Sequence, residues 1–359
     1  MKLRTGYTTG SSATAAARAA LLAVEGQEIQ DSVEILLPKG KRLRIGIHAC
    51  AFGRDRASCT VIKDGGDDPD VTHGAEIISE VSPAGAPGEV VIEGGEGVGV
   101  VTKPGVGLEI GSPAINPVPR RMIEENIREV GGAMLDKSGV RVVVSVPRGK
   151  ELAPKTDNPR IGIKGGISIL GTSGIVIPFS TASFAAAVRQ AIGVAAAMGE
   201  REVVLTTGSR SEDGARGTVP LPDHCYVQMG DFAGYAIKQC AEQGIGTVRV
   251  AGFIGKVAKM AAGASQTHVK GSKVDTAFLA GLAERAGAGA DLAGRIRAAN
   301  TARHVLEIVQ EAGIDGFFGL VAAKAAGRMR AHSGGRVGVE VILFGFDGGV
   351  LARESEGIL

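Results

Sequence analysis

The chain has 359 residues, a formal net charge of +2 at pH 7 and 44% hydrophobic residues, enough for two ordinary cores and without the global field that selects nucleic acid or an anionic membrane. Tryptophan is absent and aromatics total only 4%, which argues against stacking platforms for single-stranded nucleic acid. The 55 glycines, roughly twice the average usage of ~7%, follow no fixed period, so they announce many tight turns rather than a fibre.

The opening MKLRTGYTTG has no apolar run of signal-peptide type, and the Ala-rich stretch Phe179–Met198 is interrupted by Arg189 and Gln190, so no membrane span is expected. Hydroxyls at Ser11, Ser12 and Thr14 precede an Ala run that predicts a helix over Ser12–Val24, ended by Gly26. Strand patterns follow at Val33–Leu37, Leu43–Cys50, Ser58–Lys63 and Val90–Ile92. A helix is predicted over Arg121–Val130 and a β-branched strand over Val140–Val146. The polar, Pro-rich PRGKELAPKTDNPR places a domain junction near residue 150, giving a mixed α+β domain over 1–150 and an α/β domain over 151–359. Beyond the junction, helix at Ser183–Met198, strand at Val203–Thr206, helix at Phe232–Gln243, strand at Thr247–Ala251, helix at Lys256–Ala262, helices within Val274–Arg330 and strand at Val337–Phe346 predict a parallel, doubly wound sheet.

Cys50, Cys59, Cys225 and Cys240 form no C-x-x-C pair, and no histidine pair has zinc-ligand spacing. Four unpaired thiols in a reducing cytoplasm, and no protein-held metal, are the expectation.

Several segments have the composition of ligand loops. Gly94–Ile123 is rich in Gly and Pro and carries Lys103, Arg120 and Arg121, so it reads as a long ordered loop around an anion rather than a helix or strand. Within it, Gly95, Gly97 and Gly99 follow a strand, but no helix comes next, so a dinucleotide fingerprint is less favoured than a Gly-rich hairpin. Asp64, Asp67, Asp68 and Asp70 crowd one turn and suit a solvated turn, a polar clamp or a hard-cation loop without EF-hand spacing. Thr8 and Thr9 stand at a helix start, where anions are favoured. Thr206, Thr207, Gly208, Arg210, Ser211 and Glu212 follow a buried strand, and Gly255 and Lys256 follow the next, so the two loops form one cleft at the ligand-binding edge of the sheet.

The blocks LRTGYTTGSSATAAA, KDGGDDPDVTHGAEI, VTKPGVG…AINPVPRRMI, NPRIGIKGGISILGTSGIV, TTGSRSE, MGDFAGYA and GFIGKVAKMAAG, in this order over nearly the whole chain, resemble the CbiD family, the cobalt-precorrin-5B C1-methyltransferases of anaerobic cobalamin biosynthesis. The resemblance implies methyl transfer from S-adenosylmethionine to ring carbon 1 of a cobalt-bearing corrinoid, giving cobalt-precorrin-6A, and a Rossmann-like second domain. Cobalt arrives only as part of the substrate. A carboxylate-rich macrocycle asks for cations, and Lys103, Arg120, Arg121, Lys155, Arg160 and Lys256, with Thr8 and Thr9, are the substrate-side candidates. The donor is expected at Thr206–Glu212 near Gly255, with Glu212 accepting from the ribose hydroxyls. No catalytic group stands out; Asp68, His73 and Asp231 are the acid–base candidates. Ser12 stands where the family commonly has cysteine, so a universal thiol role there does not carry over. A nicotinamide oxidoreductase and a non-catalytic tetrapyrrole carrier are the rival classes. Neither nucleic acid nor membrane is an expected partner, and a homo-oligomer is left open.

Overall fold

The structure, a computed structural model, describes residues 3–268, 271–314 and 316–358. It divides into two compact units, Met1–Ser180 and Thr181–Leu359.

The first unit is built around one helix. After β1 (Gly6–Tyr7), α1 (Thr9–Gly26) starts where the Thr8 hydroxyl accepts from the Ser11 N–H at 3.1 Å, and ends at Gln27, whose φ of 51° is left-handed. Its alanines pack on all sides: Ala13, Ala15, Ala16, Ala17 and Ala20 are fully buried. Then come β2 (Ser32–Leu36), β3 (Arg42–Gly46), β4 (Ala49–Phe52), β5 (Ala57–Ile62), β6 (Glu76–Pro83), β7 (Val90–Gly94), β8 (Val100–Val101), α2 (Pro117–Val130), α3 (Gly132–Ser138) and β9 (Val140–Ser145). Strands β4-β5-β6-β9-β7 form one sheet, antiparallel except for the parallel β7–β9 pair. Period-two burial along β5 and β9 turns Cys59, Val61, Val142 and Val144 into the core shared with α1. Short α4 (Gly149–Leu152), β10 (Ile163–Lys164) and β11 (Ile175–Val176) complete the unit.

Three sequence expectations are corrected here. The junction lies at 180/181 rather than near 150. Residues 151–180 belong to the first unit because their backbone pairs with it: β10 with β8, β11 with β1, and Ile167 and Ile169 with Val98 and Ile115. Pro117 and Pro119 do not keep the end of the long loop irregular. Proline is accepted in a first helical turn, so α2 begins at Pro117 and carries Arg120 and Arg121. Cys50 and Cys59 are not separate thiols; the β4–β5 hairpin sets them directly opposite, and they are joined as a disulfide. Cys225 and Cys240 are buried and outside any disulfide.

The second unit is an α/β layer structure. Helix α5 (Thr181–Ala197) leads to β12 (Glu202–Thr206), α6 (Ser209–Thr218), β13 (Tyr226–Gln228), α7 (Ala233–Glu242), β14 (Thr247–Phe253) and α8 (Ile254–Ala261). Helices α9 (Thr276–Arg285), α10 (Ala290–Arg297), α11 (Ala302–Glu311) and α12 (Gly316–His332) precede β15 (Gly338–Phe344) and β16 (Val350–Glu356). The sheet order is β13-β12-β14-β15-β16, parallel but for the antiparallel edge strand β16. Val203 and Leu205 of β12 face the larger core with Ile192, Ile237, Val257 and Met329, while Val204 faces a smaller one with Ala215, Ile342 and Phe344. Burial on both faces explains the continuous apolar runs of these strands. No helix among the described residues is long and apolar enough to cross a membrane.

Candidate functional site

The chain leaves β12 for β13 on one side of it and later returns to β14 on the other. Such a reversal of strand order opens a crevice at the carboxyl ends of the two strands. Here it is a cleft of about 360 Å³, lined by Thr207, Gly208, Ser209, Arg210, Ser211, Phe253, Gly255, Lys256 and Phe346. That volume lies in the range of small-molecule sites.

Each wall has a local cause. Gly208 precedes α6 and no side chain caps that helix, so its first N–H groups and the positive end of its dipole face the cleft. A Cβ at Gly208 or Gly255 would meet nothing within 4 Å. The Ser211 hydroxyl donates to the Gly208 carbonyl at 2.8 Å and lies 3.2 Å from the Thr207 hydroxyl, which fixes the loop. Lys256 Nζ donates to the Thr207 carbonyl at 3.0 Å and lies 3.0 Å from Asp231 Oδ1. Burial pushes the Asp231 carboxyl up, but Lys256 and the hydroxyl of Thr267, donating at 2.9 Å, outweigh it and hold it below the usual carboxylate range. Phe253 and Phe346 stack with centroids 5.6 Å apart and planes 3° from parallel. Arg210 lies over Phe253 at 5.2 Å and donates to the Phe346 carbonyl at 3.2 Å. Thr206, one residue before the loop, is fully buried, and its hydroxyl has no hydrogen-bond partner.

Of the residues expected at the donor site, Thr207, Gly208, Arg210, Ser211 and Gly255 meet in this cleft together with Lys256. Glu212 does not. It is 2% exposed, its Oε1 accepts from Arg216 Nε at 3.0 Å, and its Oε2 accepts from Gln228 at 2.8 Å. A carboxylate so engaged braces α6 against β13 and offers nothing to a ribose. Phe253 and Phe346 are the wall residues that sequence reasoning missed. The signal was present in GFIGK and LFGF, where an aromatic closes a strand at Phe253 and follows one by two residues at Phe346.

The first-unit candidates are mostly consumed by their own chain. Thr8 caps α1, and Thr9 accepts from the Leu170 N–H at 2.9 Å. Gly10 N–H donates to the Leu170 carbonyl, which seals the helix start that looked open to anions. Ser12 is fully buried and donates to the Thr8 carbonyl at 3.0 Å, so any side chain there is shut away from ligand. Lys103 donates to the Arg160 carbonyl at 3.2 Å, with its stem against Gly162. Arg120 is half-buried, donates to the carbonyls of Ile115 at 3.1 Å and Ile92 at 3.0 Å, and burial lowers its pKa. Arg121 and Lys155 are exposed, and Arg160 is half-buried.

The four aspartates clamp segments of their own chain. Asp64 pairs with Arg4, Asp67 accepts from the Arg4 N–H at 2.6 Å, Asp68 accepts from the Phe179 N–H at 2.8 Å, and Asp70 lies 2.6 Å from the buried Lys63. His73 is exposed and accepts from the Gly65 N–H at 3.0 Å. The glycines of 94–99 admit backbone rather than ligand: a Cβ on Gly97 would sit 1.8 Å from the Val146 carbonyl oxygen, and one on Gly149 or Gly166 would strike Gly97.

The geometry defines an α/β protein with a small-molecule cleft at the strand-order reversal of its second unit. Comparison with known proteins places it further. The CbiD family model matches residues 1–178, and the model of the CbiD C-terminal domain matches residues 266–355, so the chain belongs to the CbiD family. The first match ends beside the boundary between the two units. A Salinispora arenicola protein named cobalt-precorrin-5B C(1)-methyltransferase is 50% identical over 98% of this chain and 93% of its own length. Proteins of the same name from Geobacillus kaustophilus and Thermus thermophilus are 49% and 46% identical, over 98% and 96% of this chain and 94% and 92% of their own lengths. A crystal structure of a cobalamin biosynthesis protein (cbiD) from Archaeoglobus fulgidus is 27% identical and covers 87% of this chain and 85% of that one, with a TM-score of 0.41.

Proposed function

We propose that the chain methylates ring carbon 1 of cobalt-precorrin-5B in cobalamin biosynthesis, with S-adenosylmethionine as donor, and that the donor binds in the cleft between β12 and β14. Near-full-length identity of about half to proteins carrying that name supports the reaction. The observation that carries the donor site is the cleft itself: two glycines with open space around them, an uncapped helix start, two cations and an aromatic wall. Phe253 and Phe346 suit the adenine ring, and the N–H groups of α6 with Arg210 and Lys256 suit the donor carboxylate.

The donor supplies a methyl group on a sulfonium. Carbon 1 would supply the electron pair of the new bond, and the pair of the broken methyl–sulfur bond would leave on the neutral thioether. The chain's task is then in-line positioning, which alone can lower a barrier by roughly 7–11 kcal/mol. Lys256, held between Thr207 and Asp231, fixes the loop against α8 and keeps a positive charge at the cleft. Arg121, exposed on α2, is the residue proposed to meet substrate carboxylates.

The test is mass spectrometry of the anaerobic reaction with substrate made by active upstream enzymes. The expected product carries one added methyl at ring carbon 1, and donor is consumed only when the cobalt precursor is present. An unmethylated corrinoid under those conditions overturns the reading.

A further inference from the structure

At the opposite edge of the second unit's sheet, three metal-ligating side chains converge. Glu200 lies in the turn between α5 and β12; His224 and Cys225 lie in the 3-10 turn at Asp223–Cys225 that leads into β13. One donor atom from each, a carboxylate oxygen, an imidazole nitrogen and the sulfur, lies within 4.8 Å of the other two. His224 Nε2 is 2.9 Å from Glu200 Oε1. Cys225 is fully buried and the His224 side chain is 10% exposed. None of these residues touches the cleft, because β12 and β13 run in parallel away from this cluster, with Val204 opposite Tyr226, and the cleft begins only past Thr206.

We propose that Glu200, His224 and Cys225 bind one zinc ion that staples the starts of β12 and β13. Mixed oxygen, nitrogen and sulfur donors suit this borderline-soft cation, and three protein ligands leave a fourth tetrahedral position for water. Zinc bonds of about 2.0–2.3 Å set such donors roughly 3.3–3.8 Å from one another, so His224 Nε2 and Glu200 Oε1, now 2.9 Å apart, open by a few tenths of an ångström as the ion replaces their contact. Binding deprotonates the Cys225 thiol; the proton leaves to solvent, and the thiolate takes its place on the metal. The proline at Pro222 pre-sets the turn that presents His224 and Cys225 side by side. A staple at the strand starts is structural: it raises stability and leaves methyl transfer unchanged.

Cobalt(II) titration of the full, chelator-washed chain under anaerobic conditions tests this. The expected result is a thiolate-to-cobalt charge-transfer band that saturates at one ion per chain and disappears on adding zinc. Cys225→Ala removes the band, whereas Glu200→Gln keeps it and weakens the affinity about tenfold or more. At the same metal concentration zinc raises the melting temperature of the parent chain, raises that of Glu200→Gln less, and leaves that of Cys225→Ala unchanged. His224→Gln, a milder change at a partly exposed position, stands in if Cys225→Ala does not fold, and it too loses tight binding. A parent chain without a saturable band, or a band that survives in Cys225→Ala and His224→Gln, overturns the proposal and leaves a hydrogen-bonded His224–Glu200 pair beside a buried thiol.

Discussion

As sequence, the Gly94–Gly99 loop of the first unit resembles the Thr207–Lys256 cleft of its neighbour; as structure, the two are opposites. Both follow a strand and both are marked by glycine. At Gly97 the missing side chain is filled by the Val146 carbonyl and the backbone of Gly149. At Gly208 and Gly255 the same absence opens onto empty space. A glycine thus serves either close packing of backbone on backbone or access for a ligand, and what surrounds it decides which.

Substitution at these glycines is the sharpest way to break that contrast. Gly97→Ala puts a Cβ into a carbonyl at a residue with φ of 69°, and is expected to cost about 3 kcal/mol or more of stability in denaturant unfolding. Gly255→Ala, inside the first turn of α8, is expected to keep or raise stability by about 0.5–1 kcal/mol while weakening S-adenosylhomocysteine binding in calorimetry. A stable Gly97→Ala chain with lost donor affinity would move the site to the first unit.

Lys256→Met comes next. Losing a charged donor shared by Thr207 and Asp231 is expected to weaken S-adenosylhomocysteine binding by about 1.5–3 kcal/mol, with the corrinoid affinity little changed. Equal loss for both ligands would show that the cleft serves the substrate instead.

The neighbouring arginines of α2 separate packing from binding within one turn. Arg120→Met removes the partner of two carbonyls and is expected to destabilise the chain by about 1–3 kcal/mol. Arg121→Ala, at an exposed position, is expected to leave unfolding within about 0.5 kcal/mol and to weaken only corrinoid binding. Unchanged corrinoid affinity in Arg121→Ala would remove that residue from the substrate side.

The smallest effect is in pH. Arg4 holds Asp64 below the usual carboxylate range. Burial raises Asp70, but the nearby Lys63 charge and hydrogen bonds from Lys63 and Thr72 outweigh it and hold it low as well. A depressed folded pKa gives stability that is present above the unfolded value and is lost as pH falls through the folded one. Acidification below pH ~4 is therefore expected to loosen the clamp, and Asp70→Asn to flatten that part of the stability profile, read by urea midpoints at several pH values.

The second unit was largely legible because its strands bury both faces, so Val203–Leu205 stands out as an apolar run and Thr247–Ala251 as a β-branched one broken only by Arg249. What escaped has physical reasons. Helix α6 is polar, SRSEDGARGT, and its one packed face rests on Ala215. Strand β6 alternates Ile77, Ser79 and Val81 inward, and the small polar Ser79, donating to the Ala13 carbonyl at 2.9 Å, hides the pattern. The junction was misplaced because residues 151–180 join the first unit through backbone pairing, which leaves no side-chain period. The Cys50–Cys59 pairing depends on the register of a hairpin turning at Gly53–Arg56, and Glu212 pointed at a ribose only until its partners Arg216 and Gln228 were in view.

The helix at the centre of the first unit has a use of its own. Its amides are enclosed on every side by sheet and helix, so their hydrogens can exchange with deuterated water only when the whole unit opens. Peptides covering Ala13–Leu21 are thus a clock for that unit alone, and peptides covering Val203–Leu205 are a separate clock for the other. Read side by side with donor or metal added, the two clocks report which half of the chain each ligand steadies.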